Sequence, residues 1–382
     1  MHLFHLLRAI YLHLPAHFGT AFYPVEYCYR FVRCLRLDMW SVNGEERASC
    51  LPLSAVVAIP REEKSHLVGL MFAGPTRERH LGRVWSWKIG KVAKEAGVDH
   101  SLVVTTVEKP QYKSKTKRGW LVIPNWVRGE IKVPLERKQR STAVQSDLKK
   151  IRDHKLEFEV TRDPRQIESF YREMHVPYMT NVYGDAALIE PYEHLKDELQ
   201  KCELLLVKKE GECISGVLLA FPDGGARLWL LGVRNGDRGY LKMGAIAAIY
   251  HFGLSYLHER GYSNVDLGWS RPFLKDGALR YKRKLGMQIT DAHSRGMAVQ
   301  VVSLDDATRS FLENNPFIVH DEEGLGGAVF VDDEAPVTQA DLQRMEKDYL
   351  QPGLARIILY SMSKRGPFMR RRHPQPIPTQ DQ

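Results

Sequence analysis

Residues 264–287 read NVDLGWSRPFLKDGALRYKRKLGM, and their hydrophobic period changes twice. Asn264–Gly268 predicts a short buried strand, and a loop follows it. Gly277–Leu285 predicts a helix stopped by Gly286, and a second strand starts at Met287. Working back from this stretch, Tyr240–Arg260 reads as one long helix ended by Gly261. Before it come three strands, Glu203–Lys208, Cys213–Ala220 and Arg227–Val233, with turns at Glu210-Gly211-Glu212 and Pro222–Gly225. Pro191–Gln200 predicts a helix. Asp163-Pro164 opens another, with Ile167, Phe170, Tyr171 and Met174 on one face, and Glu157–Thr161 alternates like a strand. The order over 157–290 is β-α-α-β-β-β-α-β-α-β. Past it we expect a strand (Ala298–Leu304), a helix (Ala307–Asn314), a strand (Gly327–Val331), a helix (Thr338–Tyr349) and a strand (Ala355–Tyr360).

The front of the chain is less periodic. Residues 41–140 read as mixed α/β, with strand-like runs at Ala55–Ile59, Leu102–Val107 and Trp120–Ile123. The stretch from Trp85 and Trp87 through Ala96 reads as a helix ended by Gly97, and Lys113, Lys115, Lys117 and Arg118 read as a polar loop. Ser141–His154 has helical spacing and bridges two halves. A chain of 382 residues has room for two or three domains. Its composition excludes collagen, a coiled coil, a disordered chain and a polytopic membrane protein.

Charge is uneven. The chain carries 55 Lys+Arg against 46 Asp+Glu, a net +9. Residues 109–155 alone hold fourteen Lys/Arg against four Asp/Glu, so one block accounts for the whole excess. A negatively charged partner or substrate becomes the expectation. The five cysteines (Cys28, Cys34, Cys50, Cys202, Cys213) form no C-x-x-C pair and no zinc-ligand pattern, so we expect buried thiols in a reducing cytosol and no metal. Leu3, Leu7, Ile10 and Leu14 recur at helical spacing, and Arg30, Arg33 and Arg36 recur every third residue. An amphipathic segment on the inner, anionic membrane face has this pattern, and so does a helix docked on the protein body. The tail 363–382 is basic, rich in Pro and expected to be disordered.

The element order over 157–290 resembles the GNAT acyltransferase fold. The closer likeness is to its Fem-like branch, which builds peptidoglycan bridges, and to related N-acetyltransferases found with exopolysaccharide genes. Tyr281, Lys282, Leu285 and Gly286 match the Fem-type F-K-x-x-F-G pattern, and residues 140–163 resemble the basic linker that introduces the second GNAT-like domain. The resemblance implies an α/β (α+β) protein with tandem GNAT-like domains, mixed twisted sheets flanked by helices, the N-terminal one degenerate. The domains would be an N-terminal segment (1–40), the degenerate half (41–140), the acyltransferase half (141–290), an α/β extension (291–362) and the tail (363–382).

The resemblance also implies an acyl-CoA co-substrate, whose pyrophosphate GNAT enzymes grip with a Q/R-x-x-G-x-G/A loop at a helix N-terminus. The equivalent stretch here has different spacing, with Val233, Arg234, Arg238, Gly239, Lys242 and Gly244 as candidate donor contacts. The catalytic tyrosine of many GNAT enzymes falls at Lys282, with Tyr281 one residue earlier. This departure favours the Fem-like branch.

Acyl transfer to an amine needs a held carbonyl, stabilisation of the oxyanion and a route for the amine's proton. Lys282 can hold a phosphate or oxyanion, or shuttle a proton if its pKa is depressed, and otherwise is a surface lysine. Asp266, in an apolar strand, orients the amine or acts as base, or forms a salt bridge to Lys282 or Arg280. Trp269 and Ser270 line the following loop. His175, Tyr178 and Tyr183 fall where GNAT folds wall the acceptor site. The pairs Asp305-Asp306, Glu322-Glu323 and Asp332-Asp333 read as solvated turns.

Three functions stay open. The first is an N-acyltransferase acting on an amino group of a cell-envelope glycan, exopolysaccharide or precursor. The second is a Fem-like aminoacyltransferase using aminoacyl-tRNA, its basic block meeting phosphates while Tyr112 and Trp120 stack on bases. The third is a non-catalytic module that binds anionic polymer or membrane. The expected location is cytoplasmic, or peripheral at the inner membrane face.

Overall fold

The computed structural model describes residues 31–97, 99–135, 142–291, 295–332, 337–363 and 369–372. The amphipathic pattern at Leu3–Leu14 and most of the basic tail lie outside the described residues.

Three mixed sheets flanked by helices form the molecule, as the α/β expectation holds. The first has the order β3 (Phe72–Trp85), β1 (Arg36–Glu46), β2 (Pro52–Ile59), β4 (Leu102–Glu108), β13 (Arg295–Val301) and β5 (Leu121–Pro124). The second runs β12 (Gln288–Thr290), β6 (Val127–Lys132), β11 (Asn264–Ser270), β10 (Ala226–Val233), β9 (Glu212–Ala220), β8 (Glu203–Lys209) and β7 (Glu157–Thr161). The third holds β14 (Phe317–Asp321), β15 (Gly324–Asp332), β16 (Ile357–Met362) and β17 (Met369–Arg372).

Neither large sheet is drawn from one contiguous stretch. β6 lies before the boundary expected at 140 yet pairs in the second sheet with β11 and β12, and β13 lies after 290 yet pairs in the first with β4 and β5. The third sheet is buried on both faces. Phe317, Val319, Ala328, Phe330 and Ile358 join the core of the first sheet, while the alternating Ile318, Leu325, Val329 and Leu359 join that of the second. β17 pairs with β16, so residues 369–372 of the expected disordered tail are ordered on the sheet's edge. Such an edge offers unpaired backbone groups that bind any compatible strand.

Two expected elements differ. Lys109–Lys117 is a helix, α3, where a polar loop was expected. Pro110 stands in its first turn, Glu108 and Gln111 form a reciprocal capping box, and Tyr112 is its buried anchor. The expected long helix Tyr240–Arg260 is two: α8 (Arg238–Met243) and α9 (Ala245–Glu259). Gly244 between them is left-handed (φ 97°, ψ 24°), and the chain packs closely on Lys150 there. The helix expected from Trp85 is shorter: Trp85 ends β3, and α2 spans Ile89–Glu95. α1 (Lys64–Met71) and the strands β1, β3, β6 and β14 were not anticipated.

Candidate active site

Strands β10 and β11 are the two parallel neighbours of the second sheet, and they pair only at Ala226–Val265 and Arg227–Asp266. Beyond that the strands part. β10 also breaks register against β9 between Leu228 and Leu231. The residues past the parting, Leu228–Leu231 on one strand and Leu267, Trp269 and Ser270 on the other, line a cavity of about 790 Å³. This is the common place for a ligand in a sheet with parallel strands, the crevice outside their carboxyl ends. α9, α10 (Gly277–Lys284) and the bridging helix α4 (Thr142–Asp153) close it, together with the segment that carries His175.

Lys282 is carried on α10, whose start Asp276 caps by accepting from Leu279 N. It is only 4% exposed. Its Nζ donates to Trp269 O (2.9 Å), Ser270 Oγ (3.0 Å) and, more weakly, Gly268 O (3.5 Å). No carboxylate lies within ion-pair distance of it among the described residues. Burial pushes its ammonium down to about 8, against a smaller opposing pull from Asp266 and Asp276. Lys282 is therefore a buried cation held by neutral acceptors, and the alternative of a surface lysine falls away.

Asp266 is not the partner of Lys282 or Arg280. Arg128 Nε and Nη2 donate to its Oδ2 (2.9 and 2.5 Å), Arg227 Nε donates to the same oxygen, and Gly268 N donates to Oδ1 (2.8 Å). Burial alone would raise its pKa, but the bonds from Arg128, Gly268 and Arg227 outweigh burial and hold it below the usual carboxylate range. These partners come from β6 and β10, so the carboxylate ties three strands where the cavity begins.

His175 ends a wide π-helical turn (Tyr171–His175) between α5 (Pro164–Phe170) and α6 (Val176–Tyr183). Pro177, which has no N–H to give, follows after Val176. Strand and turn touch at Gly232, where a Cβ would stand 2.5 Å from His175 N. The ring is buried, and Nδ1 donates to Leu231 O at 2.9 Å. A carbonyl only accepts, so Nδ1 carries the proton and Nε2 keeps its lone pair in the neutral ring. Burial lowers the pKa, and the Leu231 bond opposes it less strongly.

Tyr178, Tyr183, Tyr250 and Tyr281 also line the cavity. Burial raises all four phenols, so they stay protonated donors near neutral pH. Tyr281 donates to Asp147 Oδ2 (3.0 Å), and Lys284 pairs with that oxygen at 2.5 Å. The structure thus brings Tyr281, Lys282, His175, Tyr178, Tyr183, Trp269 and Ser270 together. Of the six residues expected at the donor, only Gly244 lines the cavity. Val233 is buried, Arg234 Nε donates to Cys213 O (2.6 Å) and its Nη1 reaches Glu173 (3.4 Å). Arg238, Gly239 and Lys242 are exposed, and Asp237 caps α8 by accepting from Gly239 N and Tyr240 N.

Sequence reasoning missed Asp147, Lys150, Tyr250 and Arg271, which also line the cavity. Tyr250 sits in an apolar helix and reads as core. Among the described residues, no group of three or more His, Cys, Asp and Glu is placed to hold a metal ion. Asp305 caps helix α11 (Asp306–Asn314), Asp332 meets Arg309 at 3.3 Å and Glu323 meets Arg356 at 2.7 Å.

No family profile matches the chain, and no curated protein matches it. Among solved structures, the C-terminal domain of a protein described as a lysylphosphatidylglycerol synthetase from Agrobacterium fabrum is 14% identical, with TM-score 0.34, over 71% of this chain and 83% of that one. A GCN5-related N-acetyltransferase from Sphaerobacter thermophilus is 13% identical, with TM-score 0.30, over 67% and 76%. FemX is 12% identical, with TM-score 0.34, over 67% and 83%. The chemistry is read from the side chains themselves.

Proposed function

We propose that the chain is an N-acyltransferase of the GNAT type, Fem-like branch. It moves an acyl group from a thioester such as acyl-CoA to an amino group of an envelope glycan, exopolysaccharide or precursor. The observation that carries this reading is the cavity where β10 and β11 part, walled by a buried lysine with no ion-pair partner among the described residues and a buried histidine held in one tautomer. The acceptor nitrogen attacks the carbonyl carbon and gives its proton to His175 Nε2. The oxyanion forms beside the buried Lys282 ammonium, and a fixed cation in low-dielectric surroundings acts strongly. The C–S bond then breaks, and the thiolate leaves and is protonated by the imidazolium. The tyrosines orient the substrates.

Asp266 fixes the strands, since two arginines and a backbone N–H already occupy it. Donor phosphates fit the start of α9 better than the 234–239 turn. Gly244 gives α9 no side-chain cap, that end opens on the cavity, and Lys150 stands beside it. An aminoacyl ester of tRNA would satisfy the same chemistry. Tyr112 and Trp120, expected to stack on bases, are each only 7% exposed, and Lys115 covers the Trp120 ring at 4.0 Å. The thioester donor is the reading we retain.

The test is thiol release and product formation with acetyl-CoA, longer acyl-CoAs and charged tRNA, against amine-bearing glycans. We expect thiol release with an acyl-CoA, and a kcat loss of about 100-fold or more in His175→Gln with little change in donor KM. Transfer from charged tRNA alone would remove the thioester donor. Full activity in His175→Gln would remove the base.

A further inference from the structure

We propose that the corner of the first sheet carrying Trp85 and Trp87 docks on an anionic lipid bilayer. Trp85 is 41% exposed and Trp87 57%, and their rings stack at 4.8 Å with an interplanar angle of 20°. Trp85 ends β3, the outermost strand of its sheet, and the Arg36 guanidinium of neighbouring β1 lies 5.8 Å from its ring centre. Arg83, two residues back on the same face of the strand, is exposed, as are Lys88 and Lys91 in the adjoining turn and helix. Over residues 77–95 six Lys/Arg stand against two Asp/Glu, with Lys91 paired to Glu95 at 3.6 Å on the exposed helix face. Indole rings with cations beside them match the headgroup region, where the ring sits at the apolar boundary and the cation meets phosphate.

The described chain begins with a helical stretch at 31–35, and the Leu35 carbonyl accepts from Ser86 N at 2.8 Å, between the two tryptophans. The described chain therefore starts beside this corner. Among the described residues no helix is long and apolar enough to cross a membrane. A single-stranded nucleic acid is the competing partner for aromatics among cations. It is disfavoured because each ring gives one face to the other, leaving no slot for a base between them.

The inference is independent of the acyltransferase reading, because binding is measured without turnover. The full chain is mixed with vesicles of phosphatidylcholine alone or with 30% phosphatidylglycerol, and bound protein is separated by flotation. Binding to the anionic vesicles is expected, weakening with salt, and falling about tenfold or more in Trp85→Ala/Trp87→Ala and in Lys88→Glu/Lys91→Glu. Both pairs are exposed, so unchanged melting temperatures would confirm folding. Vesicles of brominated lipid should quench the wild-type tryptophan fluorescence and quench it less in Trp85→Phe/Trp87→Phe. The proposal is overturned if the wild type ignores the anionic vesicles, if the tryptophan variant binds them equally well, or if that variant loses tRNA binding while keeping vesicle binding.

Discussion

Replacing Lys282 with methionine isolates the effect of a cation buried without a counter-charge. Burial moves the ammonium from the usual 10.5 to about 8. At ~1.4 kcal/mol per pKa unit, the protonated lysine costs the folded state about 3 kcal/mol at pH 7. The sign follows from proton binding. Between about 8 and 10.5 the unfolded chain binds the proton and the folded protein does not, so stability rises with pH across that window. Integrated from pH 7 to pH 9, the wild type gains about 1 kcal/mol from this one group. Methionine nearly fills the same volume and cannot titrate, so that gain disappears. At pH 7 the variant loses the charge penalty but leaves Ser270 Oγ and the Trp269 carbonyl without their donor, a cost of about 1–3 kcal/mol each. The two effects offset, so absolute stability at pH 7 is a poor readout. The informative quantity is the wild-type minus variant difference in urea unfolding free energy at pH 7, 8 and 9, in which other titrating groups cancel. It should move about 1 kcal/mol toward the wild type by pH 9. A difference that is flat with pH, or that moves the other way, refutes the account of Lys282 as a cation held against its surroundings.

Asp266→Asn should destabilise the protein by about 2 kcal/mol, because Arg128 and Arg227 would then face a neutral amide; urea unfolding measures this, and a loss under ~0.5 kcal/mol would show that the three strands do not depend on the carboxylate. Gly232→Ala forces β10 away from His175, whose N lies 2.5 Å from the new Cβ, and should cost about 2 kcal/mol. If the Leu231 bond sets the tautomer, the same variant should lower kcat more than tenfold while changing donor KM less, and a wild-type kcat would show that the contact does not position the imidazole.

The element order over 157–290 was legible because its strands and helices are specified locally. Turn residues punctuate β8, β9 and β10, and Asp163-Pro164 announces α5. The elements that escaped notice depend on neighbours. α3 is polar almost throughout and is recognisable only by its cap and by Tyr112 reaching the core. The break at Gly244 is a left-handed glycine packed close to Lys150, ninety-four residues earlier, a contact that no local period records. The exchange of β6 and β13 between the sheets is likewise long-range pairing. At the site, the residues next to the Y-K-x-x-L-G motif were legible, as were the aromatics after α5. Asp147, Lys150 and Tyr250 were not, since each reads as an ordinary member of its helix. Asp266 could be picked out as a buried carboxylate, but Arg128 as its partner could not, because that contact spans 138 positions.

The basic block acquires a different meaning once its members are placed. Arg128 is consumed by Asp266, Lys109 meets Asp291 at 3.2 Å, and Lys150 lines the cavity. Lys115 lies over Trp120, where burial lowers its pKa to about 8. A phosphate-binding surface requires exposed cations, and the block keeps several, Lys113, Lys117, Arg118, Lys149, Arg152 and Lys155 among them, while Arg128 holds strands and Lys150 walls the cavity. The exposed cations that stand beside exposed aromatic rings lie elsewhere, at Arg83, Lys88 and Lys91, outside the block that dominates the charge count. What sets the proposed bilayer face apart from the block is the pair of exposed rings, Trp85 and Trp87, beside its cations, since the block's own aromatics, Tyr112 and Trp120, are buried.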